Sequence, residues 1–194
     1  MDIFEKRRVA NNKQRAKTRQ LINHLKSNPC TDCQNLYDTI CMDFDHLDTA
    51  TRLCIDFNQL RGSTNKILEE VKKCELVCAV CHRIRTYNRK QLFQTRPRKN
   101  DQNRQKNRSE EHTAFLAIIK DRPCMDCGKL YHFSAMDFDH KNGLNKRYNV
   151  ANMVGYSKEN ILAEIAKCDI VCANCHRIRT KRRLNTNIEI SINF

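Results

Sequence analysis

The sequence predicts an α+β protein made of two tandem, small, metal-stabilised units with flanking basic helices. Three observations predict it. First, the chain carries two near-copies of one pattern. Cys30/Cys33, Asp45-His46, Cys78/Cys81 and His82 are followed, each after 94 residues, by Cys124/Cys127, Asp139-His140, Cys172/Cys175 and His176. Second, the apolar spacing inside each copy switches between helical and strand periods. Third, a chain of 194 residues with 7% aromatics, no Trp and a mean hydropathy of −0.74 leaves each copy a thin core that needs a metal or cross-links. The expected domains are 1–94 and 95–194.

Residues 2–27 are polar and basic, and they end in Leu21, Ile22 and Leu25 at helical spacing before Asn28-Pro29. Their counterpart, 109–122, carries Phe115, Leu116 and Ile119 before Arg122-Pro123. Each helix delivers the chain to a tight Cys-x-x-Cys knuckle. Residues 40–46 and 135–140 alternate apolar with polar and predict half-buried strands that end on Asp-His, with Met42, Phe44, Met136 and Phe138 facing a core. After a polar loop comes a short helix, with Ile67, Leu68 and Val71 in one copy and Ile161, Leu162 and Ile165 in the other, N-capped by Ser63 and Ser157. Residues 75–78 and 169–172 predict second strands running into the second knuckles, and the His-Arg-Ile-Arg-Thr run starts a further helix. Residues 87–108 read as an extension of that helix, a break at Pro97 and a linker or helix start. The tail, 187–194, alternates with period two and reads as an edge strand.

The cysteines say how the units are tied. Two Cys-x-x-Cys turns with 44 residues between them supply four thiolates, the donor set of a tetrahedral zinc. Four cysteines leave no open coordination position, so each of the two zinc ions is expected to be structural. Cys41, Cys54, Cys74 and Cys168 remain over, and Cys74 and Cys168, which match each other beside a strand, read as buried small hydrophobes. No apolar leader opens the sequence and no apolar run reaches the length of a membrane span, so a reducing compartment is expected, cytoplasmic or nuclear, or a virion, rather than secretion. The net charge is +14, with Lys and Arg concentrated at 6–26, 83–108 and 177–183. That footprint points to a polyanionic partner, with double-stranded DNA the expected one and no membrane.

With zinc satisfied by cysteine, His82 and His176 are available for other work, and each is fixed by the ligand cysteine directly before it. Cleaving a phosphodiester needs a cation on the scissile phosphate and an activated water. A carboxylate with one imidazole can hold a divalent ion, and a second imidazole can deprotonate water.

On these residues the chain resembles the HNH family of endonucleases, of the ββα-metal fold, in the subgroup with a four-cysteine zinc site. The resemblance covers 29–86 and 123–180 and is closest over 156–176, YSKENILAEIAKCDIVCANCH. It implies that His46 and His140 are general bases. It also implies that Asp45 with His82, and Asp139 with His176, each hold one Mg²⁺-like ion, and that hydrolysis leaves a 5′-phosphate and a 3′-hydroxyl. The family's central Asn has no assigned counterpart, although Asn58 and Asn152 share a register. The second copy continues with Lys141-Asn-Gly143 and Lys146, as family members often do, where the first has Leu47-Asp-Thr49 and Arg52, which makes the second the safer active site. Arg83, Arg85, Arg177 and Arg179 are expected beside the catalytic histidines as phosphate contacts. The expectation is a metal-dependent DNA endonuclease with two sites on one chain, a monomer acting as an internal pseudo-dimer. The alternative is a non-catalytic, zinc-stabilised nucleic-acid-binding, packaging or virion protein with viral structural partners.

Overall fold

The computed structural model describes residues 2–48, 64–92, 100–141 and 145–192; Thr49, Arg52, Cys54, Asn58, Ser63, Pro97, Asn142 and Gly143 lie outside these. In chain order the elements are α1 (Ile3–Leu25), β1 (Met42–His46), α2 (Thr64–Val71), β2 (Cys74–Cys78), α3 (Ala79–Leu92), α4 (Asn100–Lys120), β3 (Met136–His140), α5 (Lys158–Ile165), β4 (Cys168–Cys172) and α6 (Ala173–Ile192). The fold is mixed α+β, with two small antiparallel sheets and six helices among the described residues. Two compact units divide the chain, Met1–Cys78 and Ala79–Phe194, and the division falls inside the second knuckle of the first repeat.

In the first unit, α1 starts on Asp2, whose carboxylate accepts from the Glu5 amide at 2.6 Å, and only Thr18 and Ile22 along its length are buried. Ile22 packs with Ile67 of α2, flanked by Leu21, Leu25, Phe44, Val71 and Cys74. β1 and β2 pair antiparallel in register from Met42↔Cys78 to His46↔Cys74, and Met42 and Val77 are fully buried. The Asp45-His46 step therefore sits at the far end of the ladder from the knuckle, and both residues are buried.

The second unit repeats the plan. β3 and β4 pair from Met136↔Cys172 to His140↔Cys168. Leu116 of α4, Val150, Met153 and Ile161 of α5 form the core, with Phe115, Phe138, Ile165 and Cys168 against it. Ser157 caps α5 as expected, accepting from the Asn160 amide at 3.3 Å. This unit also contains α3, whose Val80 amide donates to Asn174 Oδ1 of α6 at 3.3 Å. Tyr87 of α3 stacks near His132 and Phe133, with ring centroids 4.7 and 5.2 Å away.

Two expectations need correction. Leu162 is 48% exposed, whereas Glu164 is buried. Residues 161, 164 and 165 share one helical face, and 162 is turned about 100° from 161. The tail is not an edge strand, because α6 runs to Ile192. Extending a formed helix adds one hydrogen bond per residue fixed, whereas a strand there would have to be started afresh.

The first knuckle turns through a left-handed residue directly after its second cysteine. That residue is Gly128 at φ +69° in the second copy and Gln34 at φ +57° in the first, and each amide returns to the carbonyl of Cys124 or Cys30 at 2.9 Å. A side chain in this region is strained by about 1–2 kcal/mol. Gln34→Gly is therefore expected to stabilise the first unit by about 0.5–1 kcal/mol, after loss of the exposed Gln34-to-Thr31 hydrogen bond and the backbone entropy of glycine. Thermal unfolding of the zinc-loaded protein checks this, and an unchanged or lower midpoint refutes it.

Candidate metal centres and candidate active site

Each repeat brings its four knuckle cysteines together. The Sγ atoms of Cys30, Cys33, Cys78 and Cys81 all lie within 4.8 Å of one another, and so do those of Cys124, Cys127, Cys172 and Cys175. Backbone amides already point at the sulfurs: Cys78 N–H to Cys30 Sγ and Cys172 N–H to Cys124 Sγ, both at 3.2 Å. Such donors favour thiolates. Burial and the neighbouring thiols push Cys172 up to about 12 and Cys175 higher still. At Cys124 burial also acts upward, but the amides of Cys127 and Cys172 outweigh it and hold the thiol at about 7. Four thiolates this close repel one another unless a cation sits among them. The donor set, spacing and amide bonds fit one tetrahedral zinc per repeat.

The second cysteine set also fixes the start of the next helix. β4 ends on Cys172 and α6 opens at Ala173, so Cys175 and His176 share its first turn. Across the sheet, β3 presents Asp137, Asp139 and His140. His176 Nδ1 lies 2.7 Å from Asp137 Oδ2, and its Nε2 lies 3.5 Å from Asp139 Oδ1. Burial acts to raise the Asp137 carboxyl, but His176 and Arg83 outweigh it and hold it below the usual range. Asp137 is therefore an acceptor, and the imidazole proton sits on Nδ1. The ring therefore lies between two carboxylates, Nδ1 on Asp137 and Nε2 facing Asp139.

Asp139 is 3% exposed and strongly held. Arg183 forks onto it, Nη1 to Oδ1 at 2.8 Å and Nη2 to Oδ2 at 2.7 Å, and Arg179 Nη1 adds a third bond at 3.0 Å. Against the upward pull of burial, these guanidinium groups keep its carboxyl below the usual range. Both Asp139 oxygens are thus held by guanidinium groups, and Oδ1 also lies 3.5 Å from His176 Nε2.

His140 is 8% exposed, and its Nε2 lies 2.8 Å from Glu164 Oε1; Nδ1 has no partner among the described residues. In the first copy His46 Nε2 lies 2.8 Å from Glu70 Oε1, Asp45 is 5% exposed and pairs in register with Glu75, and His82 lies in the first turns of α3. The arginines expected at phosphates have protein partners. Arg83 pairs with Asp137, and Arg179 bridges Asp126, Asp139 and Asp169. Arg85 and Arg177 lie half-buried on α3 and α6. Asn152 is exposed at the end of a 3-10 turn, Val150–Asn152.

No known protein family, curated protein or solved structure matches the chain. No described helix is long and apolar enough to cross a membrane.

Three residues at these sites escape a reading of the sequence: Asp137, Glu70 and Glu164. Asp137 stands two residues before Asp139, on the same face of β3 by strand alternation. Glu70 and Glu164 each follow an apolar helix residue, Ile67 or Ile161, by three positions and precede a lysine by three, in both copies. A charged residue repeated on an apolar helix face was the available signal.

Proposed function

We propose that the chain is a metal-dependent DNA endonuclease of HNH type, hydrolysing phosphodiesters at two sites on one chain. The observation that carries this reading is the convergence of Asp139 and His176 Nε2 at 3.5 Å on a scaffold anchored by a four-cysteine set, with His140 next in the strand. Asp139 and His176 would hold the divalent ion in the second copy, and Asp45 and His82 in the first. When bound, the ion supplies Lewis-acid polarisation of the scissile phosphate. The protein's own part is to hold DNA through its cationic surface, to orient His176 through Asp137, and to take a proton from water on His140 Nδ1. Two copies of the site on one chain suit cutting or nicking both strands of a duplex.

A second reading, a zinc-stabilised nucleic-acid-binding or packaging protein, is favoured by one observation. The Arg179–Asp139–Arg183 network is complete without any divalent ion. Plasmid cleavage with Mg²⁺ or Mn²⁺ separates the two. Wild-type protein is expected to linearise plasmid, His46→Ala and His140→Ala each to nick it only, and the double variant to lose about 10²–10⁴-fold in rate. DNA binding with a steep salt dependence and no cutting under any divalent ion would sink the nuclease reading and leave the binder.

A further inference from the structure

Two buried glutamates lie outside both the zinc sets and the Asp-His-His groups. Glu70 is fully buried and Glu164 is 3% exposed, on the inner faces of α2 and α5 at equivalent positions of the two repeats. A carboxylate taken this far from water costs several kcal/mol unless donors surround it. Around Glu164 they do. Oε1 accepts from the amides of Arg147 at 2.9 Å and Tyr148 at 3.3 Å, and Oε2 from Lys167 Nζ at 2.6 Å. The remaining partner is His140 Nε2 at 2.8 Å. Glu70 likewise meets Lys73 Nζ at 3.0 Å and His46 Nε2 at 2.8 Å.

The donors fix the chemistry of the histidine. A carboxyl group that accepts from two amides and an ammonium carries no proton to give, so His140 Nε2 must be the donor. Burial acts to raise the Glu164 carboxyl, but Lys167, His140 and the two amides overcome it and hold it at about 2, which agrees. In a neutral imidazole with its proton on Nε2, the lone pair is on Nδ1.

We propose that Glu164 is a positioning residue for the reaction, anchoring the ring of His140 with the proton on Nε2, so that Nδ1 is the nitrogen that accepts a proton from water; Glu70 makes the same contact to His46. The catalytic purpose rests on the nuclease reading, but the ring geometry and tautomer do not. A purely packing role would need an apolar residue in each helix face. A purely electrostatic role would be met by the lysine three positions on. Neither accounts for the same 2.8 Å contact to the Asp-His histidine in both copies.

The test is ring-nitrogen NMR of the ¹⁵N-histidine-labelled, zinc-loaded full chain near neutral pH, with His46→Ala as background so that cleavage reports the second site. His140 is expected as the Nε2–H tautomer. Glu164→Gln, which keeps an acceptor oxygen, is expected to retain that tautomer and much of the activity. Glu164→Ala is expected to give mixed tautomers and to lower kcat about 10–100-fold with DNA affinity unchanged. An Nδ1–H or doubly protonated ring in the otherwise unaltered site overturns the proposal, and this measurement needs no variant at Glu164. So does an unchanged tautomer in folded Glu164→Ala. If the expected tautomers appear and the wild-type chain cuts no DNA, the anchoring stands and the nuclease reading falls.

Discussion

Stripping zinc is expected to unfold both copies, and Cys172→Ser is expected to unfold the second while the first keeps its metal. Magnitudes decide this. Small domains are stable by about 5–15 kcal/mol in total, whereas structural zinc bound by such sets contributes about 10–16 kcal/mol at neutral pH. Little else holds the second repeat. Its largest apolar cluster is four buried side chains, Leu116, Val150, Met153 and Ile161, and its sheet is two five-residue strands that bury Met136, Ile170 and Val171. Cys172 ends β4, receives β3 opposite Met136, and takes the Cys175 amide on its sulfur at 3.5 Å. Its loss therefore opens the sheet and the start of α6 together. Zinc per chain should fall from two to one in Cys172→Ser, with a non-cooperative thermal melt for the second repeat by circular dichroism. A chelator should abolish the cooperative melt of the wild-type chain. A cooperative melt that survives complete removal of zinc would show that the apolar core suffices and that the cysteines serve some other purpose.

The parts of this fold that were legible in the sequence are those set by strong, local chemistry. Cys-x-x-Cys spacing specifies a thiolate turn wherever it occurs, and the four-cysteine sets close as expected. Alternation over 42–46 and 136–140 marks strands, because one face must be buried, and Asp-His ends both. The less legible parts depend on what a residue meets across space. Glu164 lies on a helix face whose apolar neighbours predict Leu, and a carboxylate there is explained by donors brought to it across space, His140 and the Arg147 and Tyr148 amides. Asp137 looks like the polar half of an alternating strand until α6 brings His176 to it. The arginines behind the knuckles read as phosphate contacts by charge alone, and their pairing with carboxylates, Arg83 with Asp137 and Arg179 with Asp126, depends on what the fold brings to them. The tail carries a period-two pattern, but the helix already under way continues through it to Ile192.

The Asp139 carboxylate should show which partner it is built for. With the first site silenced by His46→Ala, Asp139→Asn is expected to reduce divalent-dependent cleavage by about 10²-fold or more, because the amide gives up the negative charge that draws a cation to His176 Nε2. It should also cost about 1–3 kcal/mol of stability in the second unit, since Arg183 loses its fork and is left with the His140 carbonyl at 3.5 Å. The Arg183 side chain is 42% exposed, and water takes up part of that loss. Arg183→Ala separates the two effects. A divalent ion at Asp139 has to displace a guanidinium that covers both carboxylate oxygens, so removing Arg183 is expected to lower the Mg²⁺ concentration needed for half-maximal cleavage by about 5–30-fold at saturating DNA, as a competing ion pair of about 1–2 kcal/mol would require. Asp139→Asn and Arg183→Ala should therefore move the metal requirement in opposite directions while both lower thermal stability. If both variants lose stability and neither changes the response to divalent ions, the Arg179–Asp139–Arg183 network is a structural ion pair, and the second copy binds nucleic acid without cutting it.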